Sequence, residues 1–257
     1  MSGGPPLRVW LERDGALLRL RLARPKANVV DAAMIAALQE ALDSHLRRDG
    51  LRAVLLDAEG PNFSFGASVE EHLPDRCADM LSAFHGLLVT LFSAPVPVLV
   101  AVRGQCLGGG LELACAGTLL FASPGAVLGQ PEIVLAVFAP AASFLLPLRV
   151  GQARAEDLLL SGRNVGAEEA RETGLVNAVA DDPEAAALAY FDRHLAGKSA
   201  SSLRFAVRAA RKGLVGEFKR KLAAMEELYL NGLMTTHDAV EGLQAFIEKR
   251  PAEWEHR

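Results

Sequence analysis

Three consecutive glycines, Gly108-Gly109-Gly110, stand between the β-branched run Val96–Val102 and a helix that begins around Leu111-Glu112. A strand that passes through a glycine turn into a helix is the unit of layered α/β folds. The rest of the chain alternates in the same way. Leu18, Leu20 and Leu22 alternate with Arg19 and Arg21, which predicts a strand with one packed and one wet face. Asp14-Gly15 turns it back on Trp10–Glu12 as a hairpin. Ala32–Leu46 carries Ile35, Leu38, Leu42 and Leu46 on one helical stripe, and Asp75–Leu91 carries Met80, Phe84, Leu87 and Leu91 on another. Ala53–Asp57, Leu119–Ala122 and Ala126–Leu128 read as short strands. From Ala141 onward most segments have helical spacing, and a break near residue 196 divides a core, 1–196, from a C-terminal helical region, 197–257. Apolar faces in that region, such as Phe218, Leu222, Met225, Leu228 and Tyr229, either meet another subunit or close over their own core.

Composition narrows the function classes. With 51% hydrophobic and 23% charged residues, the 257-residue chain can close one substantial interior. A net charge of −4 gives no global reason to bind nucleic acid or an anionic membrane. The longest uncharged run, Ile133–Leu148, is shorter than a membrane span and is interrupted by Pro140 and Pro147. Met1–Trp10 carries no signal-peptide core, so the expected location is the cytoplasm. Cys77, Cys106 and Cys115 show neither metal-ligand spacing nor even pairing, and read as packing residues. No metal site is expected.

Three segments carry chemistry. Phe63-Ser64-Phe65-Gly66-Ala67-Ser68 is a small-residue loop after a buried strand, either an ordinary turn or a concavity of backbone N–H groups. At Gly104–Glu112 the glycines open a helix, whose N-terminal N–H groups and dipole can hold a developing oxyanion. Glu112, in its first turn, is either a general base kept ionised by that dipole or a carboxylate that only complements it. Gly129-Gln130-Pro131-Glu132 puts an acid in front of five apolar residues. Buried there, Glu132 ionises with difficulty and can donate a proton.

In this order, the three segments resemble those of the crotonase family, the enoyl-CoA hydratases and isomerases. The likeness runs from Arg24-Pro25-Lys26-Ala27-Asn28 to Glu241–Lys249. It implies a spiral of ββα units followed by a helical trimerisation region, hence a homotrimer or homohexamer. By the same resemblance, the backbone N–H groups of Phe65 and Gly109 form the oxyanion hole, and Glu112 and Glu132 are the two hydratase acids. Lys26 and Ala27 match positions along the CoA path, and Phe246 and Lys249 a C-terminal pair at its adenine end, commonly across a subunit boundary. CoA would arrive as part of the substrate, with no separate cofactor.

Departures from the family pattern bear on the acyl group. Phe65 replaces the usual alanine before the loop glycine, Ser68 the usual aspartate after it, and Ala136–Ser143 a further glycine-rich turn. Phe65 and Phe138 suit a compact ring better than a linear chain, and Ser68 is placed in the same pocket. Two retained acids imply addition of water, here to a ring-borne conjugated dienoyl thioester. A short-chain 2-enoyl-CoA hydratase, an isomerase, or a non-catalytic binding protein of the same fold, including an RNA binder, are the other readings. His72 and His85 are expected to be structural or surface groups.

Overall fold

The computed structural model describes residues 4–257; Met1–Gly3, the start of the segment read for an export signal, lie outside the described residues. β1 (Leu7–Glu12) and β2 (Leu17–Leu22) pair antiparallel, and Arg13, Asp14 and Gly15, all at positive φ, turn the chain between them. α1 (Ala32–His45) starts at Asp31, whose side chain accepts the Met34 N–H and so satisfies one free donor of the first turn. The alternation continues through β3 (Ala53–Ala58), α2 (Cys77–Phe92), β4 (Val98–Val102), β5 (Gln105–Leu107), α3 (Gly109–Cys115), β6 (Leu119–Ala122) and β7 (Val127–Gly129). There follow α4 (Ala142–Val150), α5 (Gln152–Ser161), β8 (Asn164–Gly166), α6 (Ala167–Glu172), β9 (Ala178–Val179) and α7 (Pro183–Tyr190). Three further helices, α8 (Ala200–Ala210), α9 (Leu214–Glu227) and α10 (His237–Glu248), complete the chain.

The larger sheet runs β1-β2-β3-β4-β6-β9 and is parallel from β2 onward; β5-β7-β8 form a second sheet. Sequence patterning does not predict β5, β8 or β9. With two or three residues each, they are too short to show alternation and are fixed by the strands beside them. Parallel strands need both faces covered. On one face lie α1 and α2 with Met34, Leu38, Phe84 and Leu88; on the other, α7 and the turn after it bring Ala187, Phe191 and Leu195 against Leu17, Leu55 and Leu99.

That second cover overturns the expectation of a wet face on β2. Arg19 is 2% exposed. Its guanidinium donates to Glu12 at 2.9 Å, Asp57 at 2.6 Å and Glu184 at 2.5 Å. Arg21 donates to both oxygens of Asp57 at 2.7 Å. Alternation reports that two faces differ, but a paired arginine under a helix has the same spacing as one in water. Asp57→Ala is expected to destabilise the fold by about 3–5 kcal/mol, because it leaves buried charge uncompensated. Urea unfolding measures this, and a loss under about 1 kcal/mol would mean the arginines reach water.

The C-terminal helices close over their own chain's core. Phe218 of α9 stacks on Phe144 of α4 with ring centroids 5.1 Å apart and meets Phe92 of α2 edge-on at 5.1 Å. Leu222 and Tyr229 are buried beside it, whereas Phe205 and Leu228 face outward. The three cysteines are free and buried, in keeping with packing roles. Among the described residues, no helix is long and apolar enough to cross a membrane. Nor is any group of three or more His, Cys, Asp or Glu side chains among them placed to hold a metal ion.

Candidate active site

The glycine turn is a place where three parts of the chain come within contact distance of bare backbone. Gly108 has φ +50°, and a Cβ there would stand 2.6 Å from Glu132 Oε1. At Gly109 a Cβ would lie 3.0 Å from Ala67 N, and at Gly110 2.7 Å from Ser64 Cβ. Any side chain would push away the acid, the loop or the serine that fixes the loop. The loop itself is stitched on both sides. Ser64 N–H donates to Gln105 O at 3.0 Å and Leu107 N–H to Ser64 O at 3.0 Å. Val30 N–H donates to Gly66 O at 2.9 Å, and Ser64 Oγ donates to Asn28 O at 2.8 Å while accepting the Gly66 N–H at 3.0 Å.

This stitching corrects one predicted donor. The Phe65 N–H is donated to Ala27 O at 2.9 Å, so it is not available to an oxyanion. Two residues on, the Ala67 N–H has no acceptor among the described residues, and neither does Gly109 N–H. Gly66, at φ +109°, turns the chain between the engaged and the free donor, and its own Cβ position lies 3.4 Å from Gly109 N. Ala67 and Gly109 therefore present adjacent free N–H groups. The signal in the sequence is Gly66 itself: positive φ reverses the direction of the peptide that follows it.

Both glutamates line one cavity of about 380 Å³, together with Phe65, Phe84, Phe138 and Phe246. That size fits a small-molecule site. Glu112, 4% exposed, accepts the Ala142 N–H at 2.8 Å, so the start of α4 as well as that of α3 addresses it. Burial raises the Glu112 pKa, opposed by the nearby His85 charge and by the N–H groups of Ala142 and Ala141. Glu132 is half-buried on the turn Pro131–Leu135. Burial, and then the negative charge of Glu112, push it up to about 8. Two acids with unequal surroundings share one chamber: at neutral pH Glu132 holds its proton, and Glu112 gives its proton up first. Gln130 is 1% exposed, with the end of its amide 3.0 and 2.9 Å from the two Glu132 oxygens, close enough to donate to both once its nitrogen faces them.

The remaining predicted residues divide. Phe65, Phe138 and Phe246 line the cavity, Phe246 from the chain's own α10. Ser68 does not line it; its carbonyl instead receives His72 Nδ1 at 2.7 Å. Lys26 and Lys249 are exposed outside it, and Ala27 touches the site only through the bond to Phe65. Three groups gain importance over the sequence reading. His72 and His85 line the cavity and are not surface groups; burial lowers the His72 pKa. Tyr229, 1% exposed, packs its ring edge-on against Phe138 at 5.2 Å, and its hydroxyl has no partner among the described residues.

A stability measurement checks the Glu132 environment. A folded-state pKa raised from 4.5 to about 8 gives stability that is complete below the unfolded value and is lost as pH rises through the folded one. The loss runs at roughly 1.4 kcal/mol per pH unit across that window. Glu132→Gln removes this slope. The Tm difference, variant minus wild type, is expected to grow from about pH 5 to about pH 8. A pH-independent difference would place Glu132 in water.

The family model for enoyl-CoA hydratase/isomerase matches residues 12–257. The cyclohexa-1,5-dienecarbonyl-CoA hydratase of Thauera aromatica is 68% identical over 98% of this chain and 98% of its own. A carnitinyl-CoA dehydratase of Salmonella enteritidis is 32% identical over 96% of this chain and 98% of its own. A crystal structure of an enoyl-CoA hydratase/isomerase from Pseudoalteromonas atlantica superposes with a TM-score of 0.83, at 29% identity, over 97% of this chain and 99% of that one. With the family model matched over residues 12–257 and relatives matched along nearly its whole length, the chain belongs to the enoyl-CoA hydratase/isomerase family, the crotonases.

Proposed function

We propose that this chain is a hydro-lyase that adds water to cyclohexa-1,5-diene-1-carbonyl-CoA, giving 6-hydroxycyclohex-1-ene-1-carbonyl-CoA in anaerobic aromatic degradation. The observation that carries the substrate is the 68% identity to the Thauera aromatica hydratase across 98% of both chains. An aromatic-lined chamber with two acids of opposite readiness supports the reaction.

In the reaction, Glu112 takes a proton from water as the oxygen attacks the ring carbon β to the thioester carbonyl. Charge moves onto the carbonyl oxygen and along the second double bond. We assign the carbonyl oxygen to the free N–H groups of Ala67 and Gly109, in place of the Phe65 N–H that Ala27 engages. Glu132 then gives its proton to the γ carbon, across the ring from the new hydroxyl. The remaining double bond ends conjugated with the thioester. Adding water changes no net oxidation level, so no redox group is needed beside the CoA carried by the substrate.

CoA is assigned to the mouth beside Phe246, with Lys26, Ala27 and Lys249 along its path. Exposed Phe205 and Leu228 support residues 197–257 as the region that joins subunits into a trimer or hexamer. We place the protein in the cytoplasm, with no nucleic acid or membrane partner.

Purified protein assayed with the cyclic dienoyl-CoA beside crotonyl-CoA tests the substrate. The ring is expected to be favoured in kcat/KM by roughly 10- to 200-fold, the range that a difference in pocket fit provides. Faster crotonyl-CoA turnover would replace the ring with a short linear acyl group.

A further inference from the structure

The turn Pro131–Leu135, which carries Glu132, is gripped from two sides at bare α-carbons. Where α5 ends, a Cβ on Gly162, at φ +67°, would stand 2.9 Å from Ile133 Cγ2 and 3.1 Å from Val134 Cγ2. On α10, a Cβ on Gly242 would stand 2.3 Å from Leu135 O and 2.7 Å from Leu135 C. Only glycine lets the backbones come this close. Within the turn, Ala136 N–H donates to Ile133 O at 3.0 Å and Val137 N–H to Glu132 O at 3.2 Å, which ties Leu135 and Glu132 into one closed unit. Both residues line the chamber. The seat of α10 is therefore also the seat of Glu132.

The segment 250–257 doubles back along α10 and fastens to it. Lys249, at φ +56°, reverses the chain. Arg250 donates to the two oxygens of Glu241 at 2.5 and 2.8 Å, and the Glu253 N–H donates to Glu241 Oε1 at 2.9 Å. Nearer the helix start, the two oxygens of Asp238 accept the N–H groups of Glu255 and His256 at 2.7 and 2.9 Å. These bonds are exposed, and exposed ion pairs add little to stability. Their geometric result is the placing of Trp254 between the two anchors. Its Cη2 lies 3.1 Å from the Gly242 Cβ position, the same bare spot that Leu135 O approaches. The residue is otherwise left 43% exposed.

We propose that Gly242 and Trp254 are positioning residues for Glu132. The segment 250–257 ties the indole across α10, the indole and the bare helix backbone meet at the Leu135 carbonyl, and the turn is held with its acid in the chamber beside Gly108. Neither residue lines the chamber, so each acts through the turn. Burial is what chiefly raises Glu132, and the charge facing it is that of Glu112 on α3. Loosening the turn lets water reach Glu132 while Glu112 keeps its place, so Glu132 holds its proton less well.

The role rests on Glu132 as proton donor in the proposed hydration, and on no choice of acyl group. For Gly242→Ala, kcat is expected to fall by about 10- to 100-fold, the reach of a displacement of about 1 Å near the reacting groups. The alkaline limb near 8 should move down by about one pH unit as water reaches the acid. Trp254→Ala, a surface change that serves if Gly242→Ala does not fold, should move both in the same direction by less. An alkaline limb that stays in place while KM rises would put the effect at Phe246 in the mouth, and a lower Tm with kcat and limb unchanged would make the contact structural only; either result overturns the proposal. A readout without turnover separates it from the hydratase reading. The Tm gap that Glu132→Gln opens between about pH 5 and about pH 8 should narrow when it is measured on the Trp254→Ala protein. An unchanged gap overturns the positioning role whatever the substrate, whereas a narrowed gap in a protein that hydrates neither thioester upholds it and removes the hydratase reading alone.

Discussion

Glu132→Gln is expected to lower kcat for the dienoyl thioester by roughly 100- to 10,000-fold, the range that a positioned acid or base contributes. Glutamine keeps the shape of the side chain and its place beside Gly108, but it has no proton to deliver to the γ carbon. KM should change little, because the step lost is made only in the transition state. Glu112→Gln is expected to act as strongly through the opposite defect, having no carboxylate to take a proton from water. Steady-state kinetics with direct measurement of CoA-ester binding checks both. Wild-type turnover in either variant removes that residue from the mechanism. On the proposed mechanism the active form has Glu112 ionised and Glu132 protonated, so kcat should fall on the alkaline side as Glu132 titrates near 8. It should fall on the acid side as Glu112 takes up a proton, above the ordinary glutamate value of 4.5.

Gly109→Ala should have the next largest effect, a loss of about 100- to 1,000-fold in kcat, comparable to removal of one oxyanion donor. The new methyl would stand 3.0 Å from Ala67 N and 3.1 Å from Ala67 Cβ. Relieving that contact separates the two N–H groups that must converge on one oxygen. Unlike the glutamine variants, this change leaves both acids able to exchange protons with solvent. Its alkaline limb should therefore stay where it is while the plateau drops. A plateau within threefold of wild type would mean that the oxyanion is held elsewhere.

The sequence shows some of this plainly and hides the rest for identifiable reasons. Glu112 and Glu132 are legible because each sits at a fixed step from a glycine or proline that shapes its surroundings. The long elements are legible from stripes such as Ile35, Leu38 and Leu42, all buried in the structure. The free donor is not: Phe65 and Ala67 are two residues apart in one loop, and only the bond from Phe65 to Ala27 shows which is engaged. Ser68 looks like a pocket residue by position, yet its carbonyl serves His72. Arg19 looks solvent-facing until Asp57 and Glu184, 38 and 165 residues away, close on it. His85 finds its hydrogen-bond partner in Glu226, 141 residues along the chain. Local patterns tell which groups a segment presents, whereas long-range folding tells which of them are left unsatisfied.

The bond between Ala27 and Phe65 ties the proposed CoA path to the loop that carries the free Ala67 donor. The segment 27–30 is joined to the loop 64–66 at Ala27, Asn28 and Val30, so a displacement at one is transmitted to the other. On the proposed CoA path, the carrier's grip and the thioester's alignment are then set by a single rigid strap. Affinity for the handle and speed at the reacting carbon could not drift apart independently, and a substitution at the exposed rim near Lys26 would register at the carbonyl oxygen.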